Sequence, residues 1–259
     1  MSKNLTRHLE RMAITRGAVM ATDLGDAMAV LVRRRVAHGF MARRAPLIAE
    51  PASNVKTGKG AGTYTLTLSP ADDSGTWNTC TWSTPGCRSA CVLQTAGKGP
   101  MPTVRRGRRW KTDLLGTHPL EFLRILVHEL DKLPAGALVR LNTASDIRWE
   151  IVCPWLFDMF PTLRFYDYSK AWGKRGPMPD NYRVTYSATG ERHTWDHVHA
   201  MAKIHPVAVV VNVKRGQPVP SGMVDGDKDD NRYDDQPGII ALRAKGAAIK
   251  NPGRFVMAV

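Results

Sequence analysis

Apolar positions along this chain follow two periods, and the change from one to the other outlines its elements. Thr63-Tyr-Thr-Leu-Thr-Leu68 alternates cleanly, as a half-buried strand does. Ahead of it, helical spacing predicts helices over about 4–16 and 24–38, the second with Leu24, Met28, Leu31 and Val32 on one side. Behind it, residues 88–96 read as a helix closed by Gly97. Pro119 opens an amphipathic helix over 120–133, with Phe122, Leu123, Ile125, Leu126 and Leu130 apolar and Pro134 ending it. Strand-like segments then recur at 137–141, 163–166, 182–186, 207–213 and 238–242, with helices near 149–160 and 194–204 between them. The runs 207–211 and 238–242 lack polar alternation, as strands buried on both faces do. Six strands separated mostly by helices predict a parallel sheet with right-handed crossovers. The expected fold is α/β: an open six-stranded parallel (βα)6 partial barrel over residues 56–259. Residues 1–55 are expected to form a basic helical N-terminal extension.

Cysteine usage adds chemistry to this frame. Cys80, Cys87 and Cys91 fall within twelve residues, just after the first long strand, with Ser-Thr-Pro-Gly turn residues between the first two. Thiolates are soft ligands that select zinc, copper(I) or iron–sulfur clusters. A helix beginning near Cys87 would put Cys87 and Cys91 on one face. Structural zinc wants four ligands, commonly in two paired sets, and no second pair is present. Three cysteines on one loop suit three irons of a [4Fe–4S] cluster, leaving the fourth iron to Cys153, another side chain or a small molecule. Cys153, in Val152-Cys-Pro-Trp155, reads as the start of a packed helix.

Charge narrows the partners. Lys and Arg number 37 against 23 Asp and Glu, a formal charge of +14, which favours nucleic acid or another polyanion. Arg105-Arg-Gly-Arg-Arg-Trp-Lys111 combines cations with an aromatic, so Arg105, Arg106, Arg108 and Arg109 are candidate phosphate contacts beside a stacking side chain. The same residues also suit a solvated helix start. No apolar run reaches the roughly 20 residues that span a bilayer. The first twenty residues lack the apolar core of a secretory signal, so the clustered thiols point to a reducing cytoplasm.

The strand ends concentrate the remaining chemistry. Asn142 and Asp146, then Tyr166, Asp167 and Lys170, then Lys245 follow successive strands, at the edge where α/β barrels bind ligands. They are candidate cofactor- or substrate-binding residues. Lys56-Thr-Gly-Lys-Gly-Ala-Gly62 precedes a strand and lacks phosphate-loop spacing, so it reads as a lead-in. The acidic insertion 225–235 lacks the glycine and the last glutamate of a calcium loop, and reads as an acidic segment shaping the mouth of the site or pairing with Arg232 and Lys228. His193 and His197 are four apart but have no accompanying glutamate, so they read as surface or core histidines.

Thr84-Pro-Gly-Cys-Arg-Ser-Ala-Cys91, Arg140-Leu-Asn-Thr-Ala-Ser-Asp-Ile-Arg-Trp-Glu150, Phe165-Tyr-Asp-Tyr-Ser-Lys170 and the stretch from Gly226 to Gly246 resemble the phage gene-product-88 family. That resemblance covers most of residues 55–250 and implies a phage or prophage origin. The chain is also distantly similar to radical-SAM enzymes. These carry a three-cysteine loop after the first of six βα units, holding a [4Fe–4S] cluster whose open iron binds S-adenosylmethionine. Their usual CxxxCxxC spacing is replaced here by Cys80-x6-Cys87-x3-Cys91. Two functional readings stand: an iron–sulfur protein with its cluster on Cys80, Cys87 and Cys91, or a non-enzymatic nucleic-acid-binding protein whose same cysteines hold structural zinc.

Overall fold

The computed structural model describes residues 8–9, 16–20, 24–39, 45–51, 62–173 and 175–259. The helix expected over 4–16 and the glycine-rich lead-in fall largely outside these residues. One sheet of eight strands organises the rest. In chain order the strands are β1 (Ile48–Ala49), β2 (Thr63–Leu66), β3 (Leu138–Arg140), β4 (Arg164–Ser169), β5 (Tyr182–Ala188), β6 (Pro206–Val211), β7 (Met223–Asp225) and β8 (Gly238–Arg243). Their spatial order is β1-β2-β3-β4-β5-β6-β8-β7, and only β1 runs antiparallel to its neighbour. The six strands legible in the sequence are therefore adjacent and parallel. The expectation of six strands is corrected to eight, and the sheet is open, with β1 and β7 as edges. Those two strands have two and three residues, too short for any hydrophobic period to register.

The helices are α1 (Arg16–Met20), α2 (Leu24–Ala37), α3 (Pro85–Ser89), α4 (Val92–Thr95), α5 (Pro102–Thr117), α6 (Pro119–Leu130), α7 (Trp149–Val152), α8 (Trp155–Met159), α9 (Trp195–Ala202) and α10 (Ala247–Lys250). The single helix expected over 149–160 is two, because Pro154 has no N–H to continue the ladder past Cys153. Helix α9 starts on a capping box in which the Thr194 hydroxyl accepts from the His197 backbone and the His197 ring accepts from the Thr194 N–H. That gives His197 a structural task, and His193 stacks on Trp172.

The two faces of the sheet differ in kind. Strand alternation puts Leu66, Val139, Phe165, Tyr182, Val207, Val209, Ile239 and Ala241 on one face, and all of these are buried. Against it pack α5, α6 and α8 through Trp110, Leu114, Phe122, Leu126 and Phe157, and α9 through Val198. Leu31 of α2 and Val19 of α1 join the same core, and Arg124 holds the end of α1 by donating to the Val19 and Ala18 carbonyls. The opposite face carries Thr63, Thr65, Arg140, Arg164, Tyr166, Tyr168, Arg183 and Thr185. The acidic segment after β7 lies over it. Asp230 accepts from Arg140 at 2.9 Å and from the Tyr166 hydroxyl at 3.5 Å, Asp234 pairs with Arg164, and both Arg164 and Arg183 sit over the Tyr233 ring. The first face is thus an apolar core, while the second is polar under the charged strap at β3 to β5 and apolar at β6 and β8, where Ala208 and Ile240 are buried.

Candidate functional site

The cysteine loop leaves the C-terminal end of β2. Its first turn holds Ala71 at φ 44°, a left-handed conformation that an alanine adopts at some cost. In that conformation the Ala71 N–H donates to the Cys80 sulfur at 3.2 Å, while the Cys80 thiol donates to the Ala144 carbonyl at 3.0 Å. Cys80 therefore bridges the loops that follow β2 and β3. Burial pushes its pKa up to about 12, so the thiol is protonated as it stands.

Helix α3 presents Cys87. Thr84 is its N-cap and accepts from the Cys87 N–H at 3.1 Å, and Pro85 supplies the preset first turn. Glu191, from the loop after β5, accepts from the Thr84 hydroxyl and from the Gly86 N–H at 2.9 Å. A Cβ at Gly86 would lie 2.7 Å from that carboxylate, so a side chain there would push the Glu191 tip aside. Arg192 donates to the Trp82 carbonyl and Arg88 to Ser83 and Asp72, closing the loop on the other side. The helix expected through residues 88–96 breaks at Ala90, and Cys91 becomes the N-cap of α4. Cys87 and Cys91 consequently do not share one continuous helix face.

Lys170, at the end of β4, lines the same small cavity as Cys80. Burial opposes its charge, but Cys87, Asp146 and Cys80 outweigh that and raise its pKa. Cys91 feels the same ammonium and also Cys87, while burial pushes its thiol up. None of the four cysteines is in a disulfide. Cys153 is buried in the core beside Trp149 and Leu156, away from this group, as its apolar context predicts. Beside Cys80 opens a cavity of about 110 Å³, lined by Arg140, Asn142, Thr143, Asp146, Tyr168 and Lys170 among others.

The candidate residues divide by role. Asp146 accepts from the Ser169 hydroxyl at 2.7 Å and the Lys170 N–H at 2.8 Å, and so fixes the lysine. Burial raises its pKa, opposed by those two bonds. Asp167 accepts from the Asn142 N–H and side-chain amide and from the Tyr182 hydroxyl; burial pushes its pKa up to about 7. Asn142 spends its other atoms on Ser145 and Ile147. Asn142 and Asp167 thus fasten the loop after β3 and have little capacity left for a ligand. Tyr166 lies under the acidic strap, bonded to Thr63. Lys245 stands in a different cavity, paired with Asp227 at 2.6 Å, so the structure does not bring it to the cysteines.

The arginine segment is also reassigned. Arg105, Arg108 and Arg109 converge on Asp73 at 2.7, 4.0 and 3.5 Å. Trp110 is fully buried, so no stacking platform is presented. Of the four candidate phosphate contacts Arg106 is exposed, the Arg105 and Arg109 side chains are 42% and 40% exposed, and Arg108 is buried. Residues that the pattern did not single out include Glu191, Ala71 and Arg140. Glu191 and Ala71 carry no motif, whereas Arg140 was hidden inside a strand.

Among the described residues, no three His, Cys, Asp or Glu side chains stand close enough to hold a single metal ion. No helix among them is long and apolar enough to cross a membrane. What the geometry defines is a mostly parallel α/β sheet with three disulfide-free cysteines on the loop that leaves the C-terminal end of β2. The chain belongs to the Gene product 88 family, whose model matches residues 42–257. That membership supports the bacteriophage origin expected from the sequence. No curated protein and no solved structure matches the chain, so the wider radical-SAM similarity gains no support.

Proposed function

We propose that Cys80, Cys87 and Cys91 bind a [4Fe–4S] cluster at the C-terminal edge of the sheet. The observation that carries this reading is three disulfide-free cysteines on the one loop that leaves the C-terminal end of β2, with Cys80 and Lys170 lining one small cavity there. Thiolates around one zinc would crowd to about 3.8 Å from each other, as four tetrahedral Zn–S bonds of about 2.3 Å require. No such group exists among the described residues. A cluster takes each thiolate on a different iron and suits ligands that stand further apart. Lys170 would offset negative charge on the thiolates, and Asp146 would hold it in place for that purpose. The thiols must shed their protons for the cluster to bind, so loading weakens at low pH. When bound, the cluster supplies one-electron chemistry or an iron open to a small ligand.

S-adenosylmethionine is the ligand that the radical-SAM resemblance adds to this reading. The cavity beside Cys80 has room for about three or four waters at ~30 Å³ each, which suits an amino-acid head group. The nucleoside would have to find space outside it. The cluster does not depend on that ligand.

The test is anaerobic reconstitution with iron and sulfide, followed by counting both. About four irons per chain and a brown protein are expected. Cys80→Ser, Cys87→Ser and Cys91→Ser should each reduce retained iron to near zero. A colourless chain that retains no iron, or one that takes up a single zinc, overturns the proposal.

A further inference from the structure

A second cavity, of about 1320 Å³, opens where β6 and β8 end. None of the four cysteines lines it, and its chemistry differs from theirs. Five cations border it, Lys214, Arg215, Lys228, Arg243 and Lys245, against two carboxylates. Both carboxylates are spent on orienting cations. Asp225 accepts from Arg243 at 2.8 Å and Asp227 from Lys245 at 2.6 Å, while the second Arg243 amine donates to the Gln217 carbonyl. The buried Nε of Arg243 has no hydrogen-bond partner within the protein. This is a guanidinium held in one pose within a surplus of cations, a setting that favours an oxyanion.

The other wall is aliphatic. Ile249 lines it at 67% exposure, next to Pro252, Val256 and Ala96. Together these side chains give the cavity an apolar patch, which suits an apolar part of a ligand. A free phosphate would fill a small part of the space and leave that wall wet. A sugar phosphate has no apolar body to cover it. A ligand with phosphates at one end and a flat, weakly polar body at the other satisfies both walls. We propose that this cavity binds a nucleotide, its phosphates on Lys214, Arg215 and Arg243 and its base against Ile249 and Pro252. The proposal does not rest on the cysteines, and it applies equally to the chain with no cluster.

The experiment is calorimetric titration of the full chain with adenosine diphosphate, adenosine and pyrophosphate, repeated on the iron-free Cys87→Ser chain. The diphosphate should bind at least tenfold more tightly than either fragment, in both chains. Replacing Lys214 and Arg215 together by glutamate should weaken it tenfold or more, with a shallower salt dependence. Ile249→Asp should weaken the diphosphate tenfold or more yet leave pyrophosphate within about twofold. All three positions are exposed, so these variants should fold. Binding of the diphosphate no tighter than that of pyrophosphate, indifference to both variants, or no heat at millimolar ligand would each overturn the proposal. A failed iron count leaves this result untouched, so the two proposals fail separately.

Discussion

Asp167 sits 1% exposed among three donors and still holds its proton up to about pH 7, because burial outweighs the bonds it accepts. In the unfolded chain an aspartate loses its proton near pH 4. Between those values the folded state binds the extra proton. The stability this group contributes is complete below about pH 4 and is lost as pH rises through 7. In urea unfolding at several pH values, the parent should lose stability relative to Asp167→Asn over this range, by up to about 4 kcal/mol. Equal pH slopes for the two chains would refute it. Cys153 makes a complementary residue-scale case. It lies in an apolar core, so Cys153→Ser should cost about 1–3 kcal/mol of stability through a buried hydroxyl. Iron retention should survive. Loss of iron in that variant would mark Cys153 as a ligand.

Among the elements, α5 shows how a run of cations can serve structure. Asp73, only 2% exposed, gathers Arg105, Arg108 and Arg109, and Arg109 also donates to its backbone carbonyl. The turn ahead of the cysteine loop is thereby tied to the helix behind it. Removing that carboxylate strands the buried Arg108 charge, so Asp73→Ala should destabilise the protein by about 3–5 kcal/mol. A shift under 1 kcal/mol in denaturant titration would show that the clamp is dispensable. The sequence offered residues 105–111 only as phosphate contacts or a solvated helix start, and neither the full helix nor its anchor was legible, because the carboxylate lies 32 residues upstream across an irregular loop. The break between α3 and α4 was hidden for a related reason. Helical periodicity runs through Ala90, and tertiary bonds from Glu191 and Arg192 set the local turn. The long helices α2, α6 and α9 were legible because their apolar stripes match the face they bury.

For the molecule as a whole, the polar part of the second sheet face, at β3 to β5, explains the acidic segment. What the strand periods could not say was that residues 226–235 would cover the polar side of β3 and β4. Asp230 is the central peg, buried against Arg140 and Tyr166. Asp230→Ala should cost about 3 kcal/mol or more by leaving Arg140 poorly compensated. Hydrogen exchange should then rise first across β3 and β4. Unchanged protection in those strands would show that the strap is ornamental to the sheet. The gathering of chemistry at one edge was readable from the strand ends, since parallel strands deliver their following loops to the same side. Its division into two cavities was not, because Lys245 and Lys170 lie on strands separated by two others.

The pins that shape the cysteine loop come from far along the chain. Thr84 and Gly86 wait for Glu191, 107 and 105 residues later, and Trp82 waits for Arg192, 110 residues later. At synthesis rates of about 5–20 residues per second, those partners leave the ribosome roughly 5–20 seconds after the thiols do. Through that interval Cys80, Cys87 and Cys91 have no scaffold and are open to oxidation or to stray metal. Iron and sulfide delivered to the nascent chain would meet three unconnected thiols. Delivered after residue 192 has docked, they would meet a site.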